Sequence, residues 1–356
     1  MIQRSVTSRC GHCCTALLLF TAFIISWPAC SAEFVVSKIL EFQPPRGASK
    51  ATCWLNNERI VVFGDSNYRP GYVVVQEKDR RVDVVPSGGD WIAIQCPSAQ
   101  GVDMHAISPT GVLRSADGVS WETVFRPDQG KITAAAFLGD TIFLTTNKRQ
   151  LLIREAGHWS SLPLNIEDKP YQLYFSSRRK GVLWVETPNG ASKGYWTADG
   201  AKTWSPATLS ALEEKVASHF GSTSTGFFDE DRGVAIGYYL IGKDVMHALI
   251  VTADGGKTWR PLPGGINPLY MQINRLISLD KGRLLVASNL ALYLMKAGSD
   301  MLSKLTVRNA KFEGVPLKER FEGYSASVQG ADVLVLADEP VQYVLFGRVV
   351  ETEGSQ

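Results

Sequence analysis

The chain has 356 residues, of which 45% are hydrophobic, with 37 basic against 35 acidic side chains. The first 32 residues hold Arg4 and Arg9 and no acidic residue. Without them the charges balance, which argues against a nucleic-acid partner because such proteins carry a basic field. A domain of this size buries a substantial core without needing metals or many disulfides.

The N-terminal 32 residues have the pattern of an export signal. An apolar stretch over 13–27 is shorter than the roughly 20 residues of a membrane-spanning helix and is followed by small residues up to Ala32. We therefore expect residues 1–32 to be a signal peptide and 33–356 to be one domain, exported to the bacterial periplasm or secreted. A lipoprotein signal acylated at Cys30 is the competing interpretation. No later apolar run reaches membrane length, so we expect no transmembrane segment in the mature chain.

Two cysteines, Cys53 and Cys96, lie outside the signal. An exported chain permits a disulfide between them, and two buried free thiols are the equal alternative. The histidines show no metal-ligand spacing. We expect no metal site and no cofactor.

Repeats organise the rest of the chain. The tryptophans at 121, 159, 204 and 259 recur at the period of a propeller blade. Runs of β-branched and aromatic residues bounded by turn residues predict four short strands in each repeat. The repeats cover 48–86, 91–125, 132–162, 171–206, 226–262 and 272–307. About three strands remain over 325–346, and a further strand is predicted over 34–42.

These patterns predict an all-β, seven-bladed β-propeller of four-stranded antiparallel blades. We expect the N-terminal strand to close the last blade, because closure removes an aggregation-prone edge. Residues 210–220 interrupt the pattern with a predicted short helix, capped by Ser210 with Glu213 three residues later.

A recurrent turn carries the most specific signal. Thr252 to Trp259 read Thr-Ala-Asp-Gly-Gly-Lys-Thr-Trp, and related stretches occupy 197–204 and 115–121. An Asp-Gly pair between hydrophobic runs predicts a hairpin, since Asp accepts backbone hydrogen bonds and Gly tolerates positive φ. We expect the aspartates to make turns and the tryptophans to pack between blades: Asp117, Trp121, Asp199, Trp204, Asp254 and Trp259.

This turn resembles the Asp box, or bacterial neuraminidase repeat, of Ser/Thr, any residue, Asp, any residue, Gly, any residue, Thr, Trp. The second copy has Ala201 for the glycine, and the first is one residue shorter. Asp boxes occur in sialidases, sortilin-type receptors and photosystem II assembly-factor-like propellers. Similarity to the assembly or stability factors and their bacterial envelope relatives implies protein binding or assembly assistance, and nothing about photosynthesis.

The turns between second and third strands define a candidate site on the face opposite the Asp turns. Loops on a rigid scaffold are where binding residues concentrate. The candidate binding residues are Asn67, Tyr68, Arg69, Lys148, Arg149, Lys243, Asp338 and Glu339. For each of them an ordinary solvated turn is the alternative. The first hypothesis is thus an exported, non-catalytic binding or scaffold protein with a protein partner.

A sialidase-like glycoside hydrolase or glycan-binding protein is the second hypothesis. Sialidases bind a carboxylate with three arginines, one from a Tyr/Phe-Arg-Ile-Pro-type motif, and arginine suits bidentate carboxylate recognition. Only Tyr68-Arg69-Pro70 approaches this motif, without its aliphatic residue. The string Gly64-Asp65-Ser66 resembles an esterase nucleophile block, but a repeat of hairpins cannot supply the α/β sandwich of those enzymes.

Overall fold

The computed structural model describes residues 31–42, 49–56, 59–66, 69–76, 81–86, 91–97, 103–188, 190–210, 220–241, 244–262, 273–280, 282–288, 291–299, 301–309, 323–329, 332–339 and 341–352. For many strand residues, mostly within 36–86 and 323–346, the description covers the backbone alone. Within these ranges the chain forms thirty β-strands and no helix. The helix predicted for 210–220 falls outside them except for its end residues, Ser210 and Phe220.

The described strands assemble into seven sheets, five with four strands and two with five. Sheet 1 contains β2 (Ser49–Asn56), β3 (Arg59–Ser66), β4 (Arg69–Gln76) and β5 (Arg81–Pro86); sheet 2 contains β6 (Ala93–Gln95), β7 (Met104–Ser108), β8 (Gly111–Ser115) and β9 (Glu122–Phe125). Sheet 3 contains β10 (Ile132–Leu138), β11 (Thr141–Thr146), β12 (Gln150–Glu155) and β13 (His158–Pro163); sheet 4 contains β14 (Lys169–Phe175), β15 (Gly181–Glu186), β16 (Ser192–Thr197) and β17 (Ser205–Pro206).

The remaining three sheets follow the same plan with two additions. Sheet 5 contains β18 (Thr208–Leu209), β19 (Gly221–Phe227), β20 (Gly233–Ile241), β21 (Asp244–Thr252) and β22 (Thr258–Pro261); sheet 6 contains β23 (Ile273–Asp280), β24 (Arg283–Ser288), β25 (Leu292–Lys296) and β26 (Ser303–Lys304). Sheet 7 contains β1 (Ser31–Phe42), β27 (Thr306–Asn309), β28 (Gly323–Gln329), β29 (Asp332–Glu339) and β30 (Val341–Thr352).

In each sheet three or four consecutive strands form a meander of antiparallel hairpins, as the alternating pattern predicts. One end strand of each sheet, named here its innermost strand, lies beside that of the next sheet: β10 by β14, β14 by β19, β19 by β23, β23 by β28 and β28 by β2. This is the arrangement of propeller blades around a central axis. The prediction of an all-β propeller built from antiparallel blades is therefore confirmed.

Two of the sheets carry a fifth strand beyond the predicted four. β1 pairs antiparallel with β30, and β27 then pairs parallel with β1; in sheet 5, β18 pairs parallel with β22. In both sheets the fifth strand comes from the segment that leaves the preceding sheet. An outer strand presents unpaired N–H and C=O groups, and the passing segment satisfies some of them.

The core lies between the sheets and is rich in aromatic rings. Trp184 and Trp259 are fully buried with ring centroids 5.8 Å apart, and Phe220 and Phe227 pack in the same cluster. Both indoles are satisfied, since Trp184 Nε1 donates to Thr225 Oγ1 at 3.1 Å and Trp259 Nε1 donates to a backbone carbonyl. Such ring pairs contribute roughly 0.5–1.5 kcal/mol each beyond the burial of their area.

Six of the seven innermost strands share an irregularity near their first residue. In each, the second or third residue of the strand is skipped in the register with its neighbour, so that one extra residue bulges out. The bulged residues are Lys50, Thr133, Tyr171, Thr223, Asn274 and Tyr324. A bulge bends a strand and re-aims a side chain. Since all six occur at the same end of the sheets, they distinguish that end from the one that carries the Asp turns.

Candidate functional site

The Asp254 turn shows what the recurrent motif does. Thr252 Oγ1 donates to Asp254 Oδ1 at 2.8 Å, and the same carboxylate oxygen accepts from the backbone N–H of Thr258 at 2.9 Å. The N–H of Gly256 donates to Thr252 Oγ1 at 3.0 Å. Two side chains thus satisfy the turn's backbone donors, which otherwise would need water.

The two upstream turns use the same chemistry. Asp199 accepts from the N–H and the hydroxyl of Thr203 at 3.0 and 2.6 Å, and these bonds lower its pKa to about 2. Burial of Asp117 opposes ionisation, but hydrogen bonds from the backbone of Ser120 and Val119 outweigh it and lower its pKa to about 2. Carboxylates held in this way are ionised at neutral pH, so they act as turn acceptors and not as proton donors.

The tryptophans that close these turns lie in the core. Trp259 is fully buried, whereas Trp121 and Trp204 are partly buried and pack against hydrophobic clusters between sheets. Trp121 lies 6.3 Å from the ring centroid of Trp91, and Trp204 lies 6.2 Å from that of Phe175. We name the end of the sheets that carries these turns the Asp-turn face.

The predicted binding residues fall at the other end, named here the opposite face. Turns that join second and third strands, and connections between consecutive sheets, lie there because each strand reverses direction. Lys148 and Arg149 occupy the turn between β11 and β12 and are exposed. Arg69, Asp338 and Glu339 are placed there by their strand positions alone, and Asn67, Tyr68 and Lys243 lie outside the described residues. Topology thus groups the predicted residues, and only Lys148 and Arg149 have described side chains.

One residue of this end was missed by the sequence analysis. Lys131, just before β10, exchanges two hydrogen bonds with Asn147: its N–H donates to Asn147 Oδ1 at 2.8 Å, and its carbonyl accepts from the Asn147 N–H at 2.9 Å. These bonds bring the exposed Lys131 beside Lys148 and Arg149. Its position in the sequence could have identified it, because a residue just before the first strand of a blade lies on the same face as the turn between the second and third strands.

The neighbouring sheet 4 pairs its charges at this end. Lys169 Nζ lies 3.1 Å from Glu186 Oε2, and Lys193 Nζ lies 3.5 Å from Asp168 Oδ2. The bulged Tyr171 is also engaged, since its hydroxyl donates to Ser192 and accepts from a backbone N–H of sheet 5. Burial raises the pKa of Tyr171. In this part of the opposite face, these charged and hydroxyl groups are therefore already bound to one another.

A disulfide joins Cys53 of β2 to Cys96, which follows β6. The two cysteines are 43 residues apart and their Cα atoms are 5.0 Å apart. Sheets 1 and 2 are thus linked covalently near their innermost strands.

Among the described residues, no group of three or more His, Cys, Asp or Glu side chains could hold a metal ion. The conformation of the Arg69 side chain, which a sialidase-like site needs, lies outside the description. Among the same residues no helix has the length and apolarity to cross a bilayer.

Comparisons with known proteins identify the fold. No protein-family model matches the chain, and no curated protein matches it in sequence. Among solved structures, YCF48 bound to D1 peptide is 14% identical, with 86% of this chain and 96% of that chain covered and a TM-score of 0.55. An oligogalacturonate lyase from Vibrio parahaemolyticus is 9% identical, with coverage of 90% and 96% and a TM-score of 0.54. Virginiamycin B lyase from Staphylococcus aureus, in a catalytically inactive form with quinupristin, is 10% identical, with coverage of 88% and 99% and a TM-score of 0.52.

At these identities the likeness establishes the fold alone. One of the three structures holds a peptide and the other two are of lyases, so the shared fold is compatible with binding and with catalysis. The chain is similar in fold to β-propellers that include YCF48.

Proposed function

We propose that this chain is an exported, non-catalytic propeller that binds a protein partner through its opposite face and serves in assembly or as a scaffold. In this proposal residues 1–32 direct export, the seven sheets close into one ring of blades, and the recurrent turns are Asp boxes. The partner contacts the face that holds Asn67, Tyr68, Arg69, Lys148, Arg149, Lys243, Asp338 and Glu339.

The contrast between the two ends of the molecule carries this proposal. On the Asp-turn face the three recurrent aspartates are engaged in their own turns. On the opposite face, Lys148 and Arg149 stand on a tight turn with exposed side chains. A rigid scaffold that presents polar side chains at one end suits recognition of another surface.

The fold comparison supports a binding role. YCF48, which has a similar fold, was solved with a D1 peptide bound. A propeller of this size therefore can hold a peptide. We propose peptide or protein binding for this chain as well, but not binding of the D1 peptide itself.

The test is chemical crosslinking in the native host, with a tagged full-length chain, followed by affinity capture and mass spectrometry. We expect a stoichiometric protein partner that is lost when Tyr68→Ala and Arg69→Ala are combined. The matched control is the pair Arg179→Ala and Lys202→Ala at exposed positions of the Asp-turn face, which should keep the partner. Recovery of glycan in place of protein would contradict the proposal and favour the sialidase-like alternative.

A further inference from the structure

An uncompensated basic cluster lies at the opposite-face end of sheet 3. Two segments meet there, 126–131 and 147–149, and together they carry four basic side chains and one acidic side chain: Arg126, Lys131, Lys148, Arg149 and Asp128. All five are exposed, and among the described residues none of the four cations forms an ion pair. We call Lys131, Lys148 and Arg149 the basic cluster.

Several cations elsewhere on the described surface, unlike those of the basic cluster, are paired with carboxylates. Lys169 and Lys193 of the adjacent sheet 4 each lie within 3.5 Å of a carboxylate oxygen. On the Asp-turn face, Lys180 is paired with Asp231 at 2.8 Å. Because the mature chain is close to neutral, a local excess of positive charge is a property of this site and not of the whole molecule.

Backbone bonds hold the basic cluster in place. Besides the two bonds between Lys131 and Asn147, the carbonyl of Arg149 accepts from the N–H of Leu164 at 2.8 Å. The loop also packs tightly, since a side chain at Gly130 would overlap Asn147 and the stem of Lys148. Three segments of chain therefore converge on one turn, and binding would order little additional backbone.

Arg149 has a conformation that L-residues rarely adopt. Its φ is 58°, in the left-handed region, which costs roughly 1–2 kcal/mol for a residue with a Cβ. Glycine or asparagine would satisfy this turn with less strain. A long charged side chain in a strained position motivates a functional hypothesis for that side chain.

Charge is also polarised along sheet 3. Its Asp-turn end carries Asp140 and Glu155, whereas its other end carries the basic cluster. Glu155 is paired with Arg178 of sheet 4 at 2.6 Å, so the acidic end is partly neutralised and the basic end is not. An incoming acidic group is directed to the basic end by this field.

We propose that the basic cluster is the docking point for an acidic segment of the protein partner, a stretch of chain that presents several Asp or Glu carboxylates. The turn supplies two ammonium groups and one guanidinium, and arginine can bind a carboxylate through two hydrogen bonds. The inference rests on the proposed function, because it names the chemistry of the partner on that same face.

The size and surroundings of the basic cluster favour an acidic peptide over other anions. Anionic membrane surfaces are bound by clusters of roughly 4–8 basic residues beside apolar anchors. The large hydrophobic side chains that the described surface exposes are Val119, Tyr238, Met301 and Val350, and none lies in segments 126–131 or 147–149. A nucleic acid would need a wider basic field than three side chains on a neutral chain.

The test uses the purified full chain and two fluorescein-labelled peptides, one of alternating Glu and Gly and one of alternating Lys and Gly. Binding is followed by fluorescence anisotropy at low salt and again at physiological ionic strength, where the Debye length is about 8 Å. The variant Lys131→Glu, Lys148→Glu, Arg149→Glu is compared with a control of the same net charge, Arg179→Glu, Lys202→Glu, Lys304→Glu. All six positions are exposed, so both variants should fold, and circular dichroism verifies this.

We expect the Glu peptide to bind the wild type and the control alike, and the cluster variant at least about tenfold more weakly. The cluster variant should instead prefer the Lys peptide. Equal loss of Glu-peptide binding in both variants would overturn the inference, because it would assign the effect to net charge. So would cluster-dependent binding to phosphatidylglycerol vesicles without peptide binding. If the triple change prevents folding, Lys148→Gln with Arg149→Gln replaces it, with the same expected order.

Failure of this inference can be told apart from failure of the proposed function. The cluster variant is also used in the in-cell capture experiment. A partner captured equally by wild type and cluster variant, but lost with Tyr68→Ala and Arg69→Ala, would leave the proposed function standing and refute the basic cluster as its contact. Absence of any partner from the wild type would refute the proposed function itself.

Discussion

Trp259 Nε1 donates a hydrogen bond to the carbonyl oxygen of Gly256 at 3.0 Å, so that the residue closing the Asp254 turn is tied to the glycine at its tip. The same tryptophan is fully buried against Trp184 of sheet 4. One side chain thereby joins a local turn to the packing between two sheets. Turn chemistry and sheet packing therefore depend on each other in this fold.

Gly256 should not tolerate a side chain. Its φ is 91°, and a Cβ there would lie 2.5 Å from Val182 Cγ2. Strain and overlap together predict that Gly256→Ala lowers the free energy of unfolding by about 2 kcal/mol or more. The measurement is urea denaturation followed by tryptophan fluorescence.

The corresponding position of the preceding turn provides the control. Ala201 already has a φ of 67° and is buried. In Ala201→Gly, relief of strain is offset by a lost buried methyl and a more flexible unfolded chain, so stability should change by less than about 1 kcal/mol. If Gly256→Ala and Ala201→Gly destabilised the protein equally, the conclusion that only the Gly256 position lacks room for a methyl group would be contradicted.

The Asp turns predict acid sensitivity. The pKa of Asp199 falls from 3.8 in its usual state to about 2 in the fold, and that of Asp117 falls likewise. A lowered carboxyl pKa contributes stability that is present above the unfolded value and is lost as pH falls through 3.8 towards 2. We expect the melting temperature to drop over this interval, and Asp199→Asn to be less stable at neutral pH with a shallower drop. A drop of unchanged steepness in Asp199→Asn would count against the role given to this carboxylate.

His105 predicts a second, milder pH dependence. The side chain is 9% exposed at the contact between sheets 2 and 3, and within the described structure neither ring nitrogen has a hydrogen-bond partner. Burial first, and then the charge of Arg154, lower its pKa below 6.5, against the opposing effect of Asp103 and Asp140. Below about pH 6.5 the unfolded chain binds a proton at His105 more readily than the folded chain does. The free energy of unfolding is therefore highest above about pH 6.5 and falls as the pH is lowered below it.

His105→Leu should remove this decline and raise stability at about pH 5.5, since it replaces an unsatisfied buried imidazole with an apolar group. His158→Gln, at an exposed position, is the control and should leave the pH dependence unchanged. Urea midpoints at about pH 7.5 and about pH 5.5 give the comparison. A decline that persists in His105→Leu would assign it to another group.

The disulfide between Cys53 and Cys96 predicts a redox-dependent stability. A loop of 43 residues corresponds to about 4 kcal/mol on the loop-entropy model. Reduction should lower the unfolding midpoint of the wild type and leave Cys53→Ala with Cys96→Ala unaffected. A midpoint insensitive to reductant, with two free thiols detected in the native protein by mass spectrometry, would be the contrary result.

Sequence reasoning succeeded where the determining contacts are local. Thr252, Asp254 and Thr258 bond to one another within a few residues, so composition alone identifies the turn. The β-hairpins are local in the same sense, and the propeller follows from their repetition. The strand over 34–42 is predicted to complete the last blade, because the last blade would otherwise have an unpaired edge strand. The pairing of β1 with β30 confirms this prediction.

The features that were missed depend on distant pairings. β18 pairs with residues 258–259, about fifty positions later in the chain, and β27 pairs with β1 at the other end of the chain. Residues 208–209 lie outside the predicted repeats, whereas residues 306–307 are predicted as the end of the sixth repeat and not as a partner of β1. Lys131 lies beside Lys148 through bonds to Asn147; its position at the start of a blade indicates the face it shares but not this contact. The bulges of the innermost strands fall on lysine, threonine, tyrosine and asparagine, so no single residue type predicts them.

The most direct test of the account is site-specific photocrosslinking in the native host. A benzophenone amino acid is introduced at Lys148 on the opposite face and, separately, at Lys202 on the Asp-turn face; both side chains are exposed. The account predicts a discrete adduct with one protein from position 148 and none from position 202. An adduct from position 202 alone, or no protein adduct from either position, would contradict it.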